Sequence, residues 1–342
     1  MTFWFTVVVG AAMIVATLLP LLRATAWWIR IFDFPRLQIT LLLGASLAVF
    51  LALRDPSSPW QLCFAALLAL ALAYQAYMMY PYTPLARPQV QKARHQGHED
   101  GTTVSLLFAN VLMENRDSRR LLQIIADEDP DVVLAVETDA WWRRELDVLA
   151  RERPHAVRQP QGNTYGMLLY SRLELIEPQV KFLVQDDVPS IHARLKLKCG
   201  AVIDLRCLHP RPPAPAEARD AAPRDRELVI VGRQLKGART PAIVLGDLND
   251  VAWSRTNYQF QEVSGLLDPR VGRGFYHTFH ARYPFLRYPL DHCFHSKHFR
   301  LVSFKRLPAF GSDHFPVGIT LSYEPDAAAT QEEPRNTPQA AT

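Results

Sequence analysis

The chain has 342 residues and a formal net charge of +4, with 38 lysines and arginines against 34 aspartates and glutamates. A chain of this length holds one large domain and an appendage, and a mildly basic charge suits either an anionic substrate or a membrane surface. The four cysteines form no C-x-x-C pair, which argues against a cysteine-based zinc site.

Three uncharged apolar stretches occupy the N-terminal region, at residues 3–22, 37–53 and 60–80. Their lengths suit a bilayer core, which about 20 helical residues cross. Aromatic residues stand at their ends, as in an interfacial aromatic belt: Trp4, Trp27, Trp28, Trp60, Tyr80 and Tyr82. We therefore predict that residues 1–86 are a membrane anchor with three transmembrane helices and that the lipid bilayer is a partner. Buried helices of a soluble protein are the alternative, which three such stretches in succession disfavour.

The basic residues beside these stretches bear on membrane sidedness. Three lie in the first loop, one in the second and three after the last stretch: Arg23, Arg30, Arg36, Arg54, Arg87, Lys92 and Arg94. The positive-inside rule then predicts a cytoplasmic C-terminal domain. A competing reading makes residues 1–26 a signal peptide, although they lack a basic n-region. Two helices would then remain and would permit a domain on the other side, so both orientations stay open.

The rest of the chain is more polar and divides into a linker, a domain and a tail. Residues 87–101 are rich in proline, glutamine and histidine and are predicted to be a linker, and residues 324–342 are predicted to be a disordered tail. Between them, residues 102–323 form the candidate catalytic domain. Its predicted strands are 104–109, 132–136, 166–170, 191–198, 202–208, 242–245, 291–294 and 317–322. Its predicted helices are 118–128, 141–150 and 218–236. This pattern favours an antiparallel β-sandwich with helices outside.

Polar and acidic side chains fall at the ends of these strands. They are Asn110, Glu137, His209, Asp247, Asn249, Asp291, Asp313 and His314. Strand ends on one edge of a sandwich converge in space, and gathered carboxylates are the ligands that Mg²⁺ requires. A metal held in this way neutralises phosphoryl charge and helps to generate a hydroxide nucleophile. The pattern predicts a divalent-metal-dependent hydrolase of phosphoesters.

Six short motifs occur in one order: Phe-Ala-Asn-Val-Leu at 108–112, Ala-Val-Glu-Thr at 135–138, Leu-His-Pro-Arg-Pro-Pro at 208–213, Gly-Asp-Leu-Asn at 246–249, Leu-Asp-His at 290–292 and Ser-Asp-His at 312–314. By these motifs the chain resembles the endonuclease/exonuclease/phosphatase superfamily of DNase I-like nucleases, sphingomyelinases and inositol-phosphate phosphatases. The resemblance covers residues 102–323 and implies an α+β fold, a four-layer α/β/β/α sandwich. The anchored arrangement is similar to a bacterial subgroup that includes VanJ-like teicoplanin-resistance proteins.

The resemblance implies a role for each matching residue. Glu137 and Asp313 would hold Mg²⁺ or Mn²⁺. Asp247 would orient or deprotonate the attacking water, and Asn249 and Asn110 would hydrogen-bond the phosphate or that water. Many members carry Asp or Asn where this chain has Leu112, a departure that weakens the case for an abasic-site nuclease.

The two histidines complete the implied machinery. His314, oriented by Asp291, would stabilise charge on the phosphorus, and His209 would assist the leaving oxygen. Arg255 and Arg211 lie close in sequence to the motifs and are candidates for substrate-phosphate contacts, with a solvated surface as the alternative.

The predicted function is that of a membrane-anchored phosphoesterase in the bacterial inner membrane. A lipid-linked phosphate is the favoured substrate, because a tethered site meets membrane substrates at high effective concentration. A nuclease acting on DNA or RNA is the alternative, although the domain lacks a dense Lys/Arg stripe with interleaved aromatics. A non-catalytic membrane binding protein is the second alternative, and no obligate protein partner is evident. The similarity to resistance proteins that act on cell-wall precursors would suit an outward-facing site, against the charge count.

Overall fold

The computed structural model describes residues 1–94, 101–213 and 220–331. In its N-terminal part, four helices follow one another: α1 (Thr2–Leu18), α2 (Trp27–Arg30), α3 (Arg36–Leu53) and α4 (Pro59–Met79). The helices α1, α3 and α4 are long and apolar enough to cross a membrane. They pack on each other through Leu43, Phe50 and Leu68, while leucines such as Leu41 and Leu70 remain exposed on the outer faces. The three predicted spans are present as helices.

Polar side chains link the three long helices near one end. The Gln75 side chain of α4 is fully buried, donates to Thr17 Oγ1 of α1 at 3.0 Å and accepts from Arg36 of α3 at 3.1 Å. Because a buried amide needs partners for its donors and acceptor, this chain of bonds fixes the rotation of the helices. The helix α1 is thus an integral part of the bundle.

The described part of the polar region contains eleven strands and four α-helices. The strands are β1 (Thr103–Asn110), β2 (Val132–Val136), β3 (His155–Gln159), β4 (Met167–Ser171), β5 (Leu175–Lys181), β6 (Ser190–Lys196), β7 (Val202–Leu208), β8 (Ala242–Asp247), β9 (Asp291–His295), β10 (Phe299–Arg306) and β11 (Val317–Tyr323). The helices are α5 (Ser118–Glu128), α6 (Ala140–Leu146), α7 (Ala222–Leu235) and α8 (Arg255–Ser264).

Two sheets form the centre of the domain. One has six strands in the order β10-β11-β1-β2-β4-β3, and the other has five in the order β5-β6-β7-β8-β9. The predicted antiparallel sandwich is wrong in one respect, because β1 pairs with β2 and β7 pairs with β8 in parallel. The helices α5 and α7 lie between the strands of these two pairs. A parallel pair needs such a crossover, whereas a hairpin serves an antiparallel one.

Three apolar clusters separate four layers. Leu106, Leu134, Leu205 and Leu245 belong to the cluster between the two sheets. A second cluster joins the outer face of the six-stranded sheet to α5 and α6, and a third joins the five-stranded sheet to α7 and α8. The chain therefore has the DNase I-like α/β/β/α sandwich, as expected.

The eight predicted strands are present within about two residues of their predicted bounds, but β3, β5, β10 and α8 were not predicted. The strands β3 and β5 are partly exposed, and β5 contains Pro178, so neither has the apolar pattern of a buried strand. The helix predicted at 141–150 continues after α6 as the 3-10 turn Asp147–Arg151. The helix predicted at 218–236 is α7, and residues 218 and 219 lie outside the described residues.

The predicted linker and tail are partly folded, which corrects both boundaries. Residues 87–94 lie along β10, where Leu301 donates to Gln91 and accepts from Ala93, each at 2.9 Å, and Val90 is buried between the sheets. The tail begins with the 3-10 turn Pro325–Ala329, and Gln331 donates to two carbonyls at 2.8 Å. Both segments satisfy backbone groups at the edge strand β10. Residues 95–100 and 332–342 lie outside the described residues.

The domain is docked on the N-terminal helical segment through the loop 248–254. The indole Nε1 of Trp253 donates to the carbonyl of Asp33 at 2.7 Å, and the Tyr82 hydroxyl donates to the carbonyl of Ala252 at 2.7 Å. Arg30 lies 3.6 Å from Asp250. All of these side chains are buried, so the interface is packed.

Candidate active site

The site is built around Asp247, the last residue of β8. In the register of the five-stranded sheet Asp247 lies opposite Asp291, so two carboxylates meet at one strand end. Gly246, directly before, has φ 152°, and a Cβ there would lie 1.9 Å from the carbonyl oxygen of Leu208. This position admits only glycine, because any side chain would collide with backbone. The glycine thus fixes where Asp247 leaves the sheet.

Asn110 connects the two sheets at their common edge. From the end of β1 its Nδ2 donates to Glu137 Oε1 at 2.7 Å and to Asp247 Oδ2 at 3.1 Å. Its Oδ1 accepts from the backbone N–H of Leu112 at 3.0 Å, which fixes the orientation of the amide. In this geometry Asn110 positions two carboxylates, a role beyond the predicted contact with phosphate or water.

Glu137 has the left-handed backbone conformation, with φ 59°, which costs a non-glycine residue energy and is often found at functional sites. Burial raises the pKa of its carboxyl to about 7, against the lowering effects of the Asn110 hydrogen bond and of His314. Asp247 and Asp313 raise it further. Carboxylate oxygens of this kind are the donor set of Mg²⁺ or Mn²⁺, and a cation would offset the cost of burying the charged carboxylate. Glu137 and the half-buried Asp313 therefore fit a hard divalent cation.

His314 lies between two carboxylates. Its Nδ1 is 3.1 and 3.0 Å from the two oxygens of Asp291, and its Nε2 is 3.5 Å from Asp247 Oδ2. Burial lowers the pKa of the imidazole, but Asp291 and Asp247 outweigh it and raise the pKa to about 10. The ligand atoms of these three residues lie within 4.8 Å of one another. A protonated imidazole donates hydrogen bonds, so the trio is an ion-paired cluster in which Asp291 fixes the orientation of the His314 ring.

Two residues that the sequence analysis left without a role hold this trio in place. The Ser312 hydroxyl donates to the carbonyl of Asn110 at 2.8 Å and accepts from the N–H of His314 at 3.0 Å. Thr278 Oγ1 accepts from the N–H of Asp291 at 3.2 Å. Ser312 stands within the Ser-Asp-His motif, so the sequence contained a signal for its role. Thr278 is far from any motif, and the sequence contained no signal for its role.

His209 is 2% exposed, and its ring centroid lies 5.6 Å from that of Tyr165. Burial lowers its pKa to about 4, although Asp247 acts in the opposite direction, so this imidazole is neutral at pH 7. Arg211 lies over the same tyrosine ring at 4.9 Å and pairs with Asp187 at 2.5 Å. The side chains of His209 and Arg211 thus both contact the Tyr165 ring, and the three together form one wall.

Asn249 ties this wall to the catalytic strand. Its backbone N–H donates to Asp247 Oδ1 at 2.8 Å, and its side-chain Nδ2 donates to the carbonyl of Pro210 at 3.0 Å. Like Glu137, it has a left-handed backbone, with φ 51°. The amide nitrogen carries a second N–H donor, so the predicted contact with phosphate or water stays a prediction.

Arg255 lines a cavity of its own, and its predicted contact with substrate phosphate stays a prediction. It is the first residue of α8 and lines a cavity with Arg23 and Arg30, which lie between α1 and α3. None of the cluster residues lines that cavity.

Comparison with known proteins agrees with this geometry. The sequence profile of the Endonuclease/Exonuclease/phosphatase family matches residues 107–314. The chain belongs to this family. Members of the endonuclease/exonuclease/phosphatase family hydrolyse phosphoester bonds and generally use divalent metal ions, so the chain is a phosphoric ester hydrolase. A search of curated proteins found no match.

Solved structures support the fold of this family member. An endonuclease/exonuclease/phosphatase from Beutenbergia cavernae is 17% identical with a TM-score of 0.53, covering 65% of this chain and 72% of the other. One from Bacteroides vulgatus is 20% identical with a TM-score of 0.52, covering 65% and 100%. The human Nocturnin catalytic domain, solved with bound sulfate, is 18% identical with a TM-score of 0.52, covering 65% and 95%. At these identities the likeness concerns the fold alone.

We expect Asp247→Ala and His314→Ala each to lower turnover by about 100-fold or more, because each removes a group that faces the reacting centre. The measurement is steady-state hydrolysis of a chromogenic phosphodiester by the purified full chain, with thermal unfolding to confirm folding. His155→Ala, on the edge strand β3, is the matched control and should retain wild-type turnover. Wild-type rates in either site variant would refute the role given to that residue.

Proposed function

We propose that the protein is a membrane-anchored, divalent-metal-dependent phosphoesterase whose substrate is a lipid-linked phosphate at the bilayer surface. The bond cleaved is a phosphodiester, a phosphomonoester or a diphosphate. The observation that carries the lipid assignment is a loop, residues 280–287, that touches the active site on one side and a membrane helix on the other.

On the membrane side, the loop is bound to the first turn of α3. Gln38 Nε2 donates to the carbonyl of Phe285 at 2.6 Å. Phe285 is 88% exposed, and the neighbouring Tyr283 and Leu286 are 57% and 50% exposed. Because Gln38 lies at the start of a candidate membrane span, these apolar side chains lie at the level where the bilayer begins. Exposed apolar clusters in such a place are typical of membrane contact.

On the catalytic side, the same loop is bound to the segment that carries Asp313 and His314. The N–H of Ala281 donates to the carbonyl of Asp313 at 2.6 Å, and Arg282 donates to the carbonyl of Gly311 at 2.8 Å. The exposed side chains of the loop therefore follow within six residues of Ala281, which contacts the catalytic segment. A phosphate carried by a lipid headgroup would meet the site without leaving the membrane surface.

The chemistry follows from the side chains of the site. Asp247, whose pKa burial raises, is placed to orient an attacking water and to accept its proton. His314 is placed to donate a hydrogen bond to a phosphoryl oxygen as negative charge develops. The neutral imidazole of His209 can donate a hydrogen bond to the leaving oxygen. A cation held by Glu137 and Asp313 would supply further neutralisation of phosphoryl charge.

The direct test is a substrate panel for the full chain in nanodiscs, with Asp247→Ala as the blank. We expect Mg²⁺- or Mn²⁺-dependent release of phosphate or headgroup from phospholipids or polyprenyl diphosphates, and loss of this activity in excess EDTA. Full activity in EDTA without carried-over metal would refute the cation. Cleavage of DNA or RNA alone would replace the lipid assignment with the nuclease alternative, and inactivity of a folded protein would favour a non-catalytic binding protein.

We also propose that the catalytic domain faces the cytoplasm. The described structure connects the domain to the first loop, which carries Arg23, Arg30 and Arg36, so these charges and the domain share one side of the three helices. The positive-inside rule places such a loop in the cytoplasm. An alkaline phosphatase fusion after Tyr323 should be inactive in cells, with a fusion in the second loop after Ser57 as the active control. The reverse pattern would place the site outside.

A further inference from the structure

A third histidine stands beside the candidate active site. His280 directly precedes Ala281, whose N–H donates to the carbonyl of Asp313 at 2.6 Å. The rings of His280 and His314 pack on the same phenyl ring, that of Phe279, at centroid distances of 4.8 and 4.9 Å. His280 belongs to none of the six sequence motifs. We propose that His280 contacts the substrate and donates a hydrogen bond from its Nε2 to the phosphoryl group.

The imidazole of His280 is held in place from several sides. Besides Phe279, the ring of Tyr283 packs on it edge to face, with the centroids 4.6 Å apart. Its Nδ1 accepts a hydrogen bond from the backbone N–H of Arg282 at 3.2 Å. A side chain fixed in this way has given up its rotational freedom before any ligand binds, and this lowers the entropic cost of a contact with substrate.

The hydrogen bond at Nδ1 also fixes the tautomer of the ring. A backbone N–H can only donate, so Nδ1 carries no proton, and in a neutral imidazole the proton then lies on Nε2. Burial lowers the pKa of His280, against the opposite effect of Asp313, so the ring is neutral at pH 7. Among the described residues none accepts a hydrogen bond from this Nε2, and the atom is open to solvent. The loop therefore presents a fixed, accessible donor.

The neighbours of this donor identify its acceptor. Asp313 and His314 are both among the charged groups that act on the pKa of His280, so the three side chains lie close to one another. In the proposed function, His314 donates to the phosphoryl group. An anionic phosphoryl oxygen accepts stronger hydrogen bonds than a neutral acceptor does, and His280 supplies one from the side of the loop. The inference thus rests on the proposed phosphoesterase activity, but not on the assignment of a lipid.

Two substitutions separate the donor from the ring. His280→Phe keeps a ring between Phe279 and Tyr283 but removes the donor, whereas His280→Gln removes the ring and presents an amide N–H at a similar reach. The first measurement is hydrolysis of a soluble chromogenic phosphodiester by the full chain, with thermal unfolding to confirm folding. His280→Phe should lower kcat/KM about tenfold or more, the cost of a lost hydrogen bond to a charged group. His280→Gln should stay close to the wild type, as should the control His155→Ala.

The second measurement needs no turnover. It is the binding of inorganic phosphate, in the presence of Mg²⁺, to the full chain that carries Asp247→Ala, followed by titration calorimetry. Adding His280→Phe to this background should weaken phosphate binding about tenfold, for the same lost hydrogen bond. Adding His280→Gln or His155→Ala should leave phosphate binding as it is.

Two results would overturn the proposal. Wild-type phosphate binding and hydrolysis in His280→Phe would show that the donor meets no phosphoryl group. Equal losses in the phenylalanine and glutamine variants would assign His280 a structural role. Because both measurements use soluble ligands, they decide about His280 whatever the natural substrate is, and phosphate binding decides alone if the soluble diester is not cleaved. Failure of lipid hydrolysis in nanodiscs would instead remove the proposed lipid substrate and leave these results standing.

Discussion

The buried ion network between the N-terminal helical segment and the catalytic loop is the constraint on which the rest of the structure depends. Asp250 lies 3.6 Å from Arg30, in the loop after α1, and 3.1 Å from Arg224 of α7, and Arg224 also donates to the carbonyl of Asn249 at 2.8 Å. Removing one partner of such a network leaves an uncompensated buried charge, which typically costs about 3–5 kcal/mol. The catalytic loop is therefore held in a fixed place relative to the three helices.

From this fixed loop the site is completed by a few polar bridges. Asn110 joins Glu137 to Asp247 across the two sheets, and Asn249 joins the strand end to the segment that carries His209. Both amides act on other protein groups, so they preorganise the carboxylates before any substrate arrives. Preorganised dipoles and charges are the main means by which such sites stabilise a transition state. A second contact with the N-terminal helices, from Gln38 of α3 to the carbonyl of Phe285, holds the loop 280–287, which also donates a hydrogen bond to the carbonyl of Asp313.

Much of this could be predicted from the sequence, because the signals were local. The spans were visible as uncharged stretches, and the cluster was visible as polar residues at the ends of apolar runs. What failed depended on tertiary pairing. Parallel pairing of β1 with β2 follows from a crossover helix and not from strand composition, and the docking of residues 87–94 on β10 depends on an open sheet edge.

The claim at the centre of this account is that residues 280–287 hold the active site against the bilayer. The decisive measurement is the ratio of turnover on a lipid substrate in nanodiscs to turnover on a soluble chromogenic phosphodiester. Phe285→Ser with Leu286→Ser removes the apolar area that these side chains would bury in the bilayer. The ratio should therefore fall about tenfold, while turnover of the soluble substrate stays unchanged. The control, Phe182→Ser with Val148→Ser, replaces two exposed apolar residues outside the membrane segment and should leave the ratio as it is. An unchanged ratio in the loop variant would contradict the account.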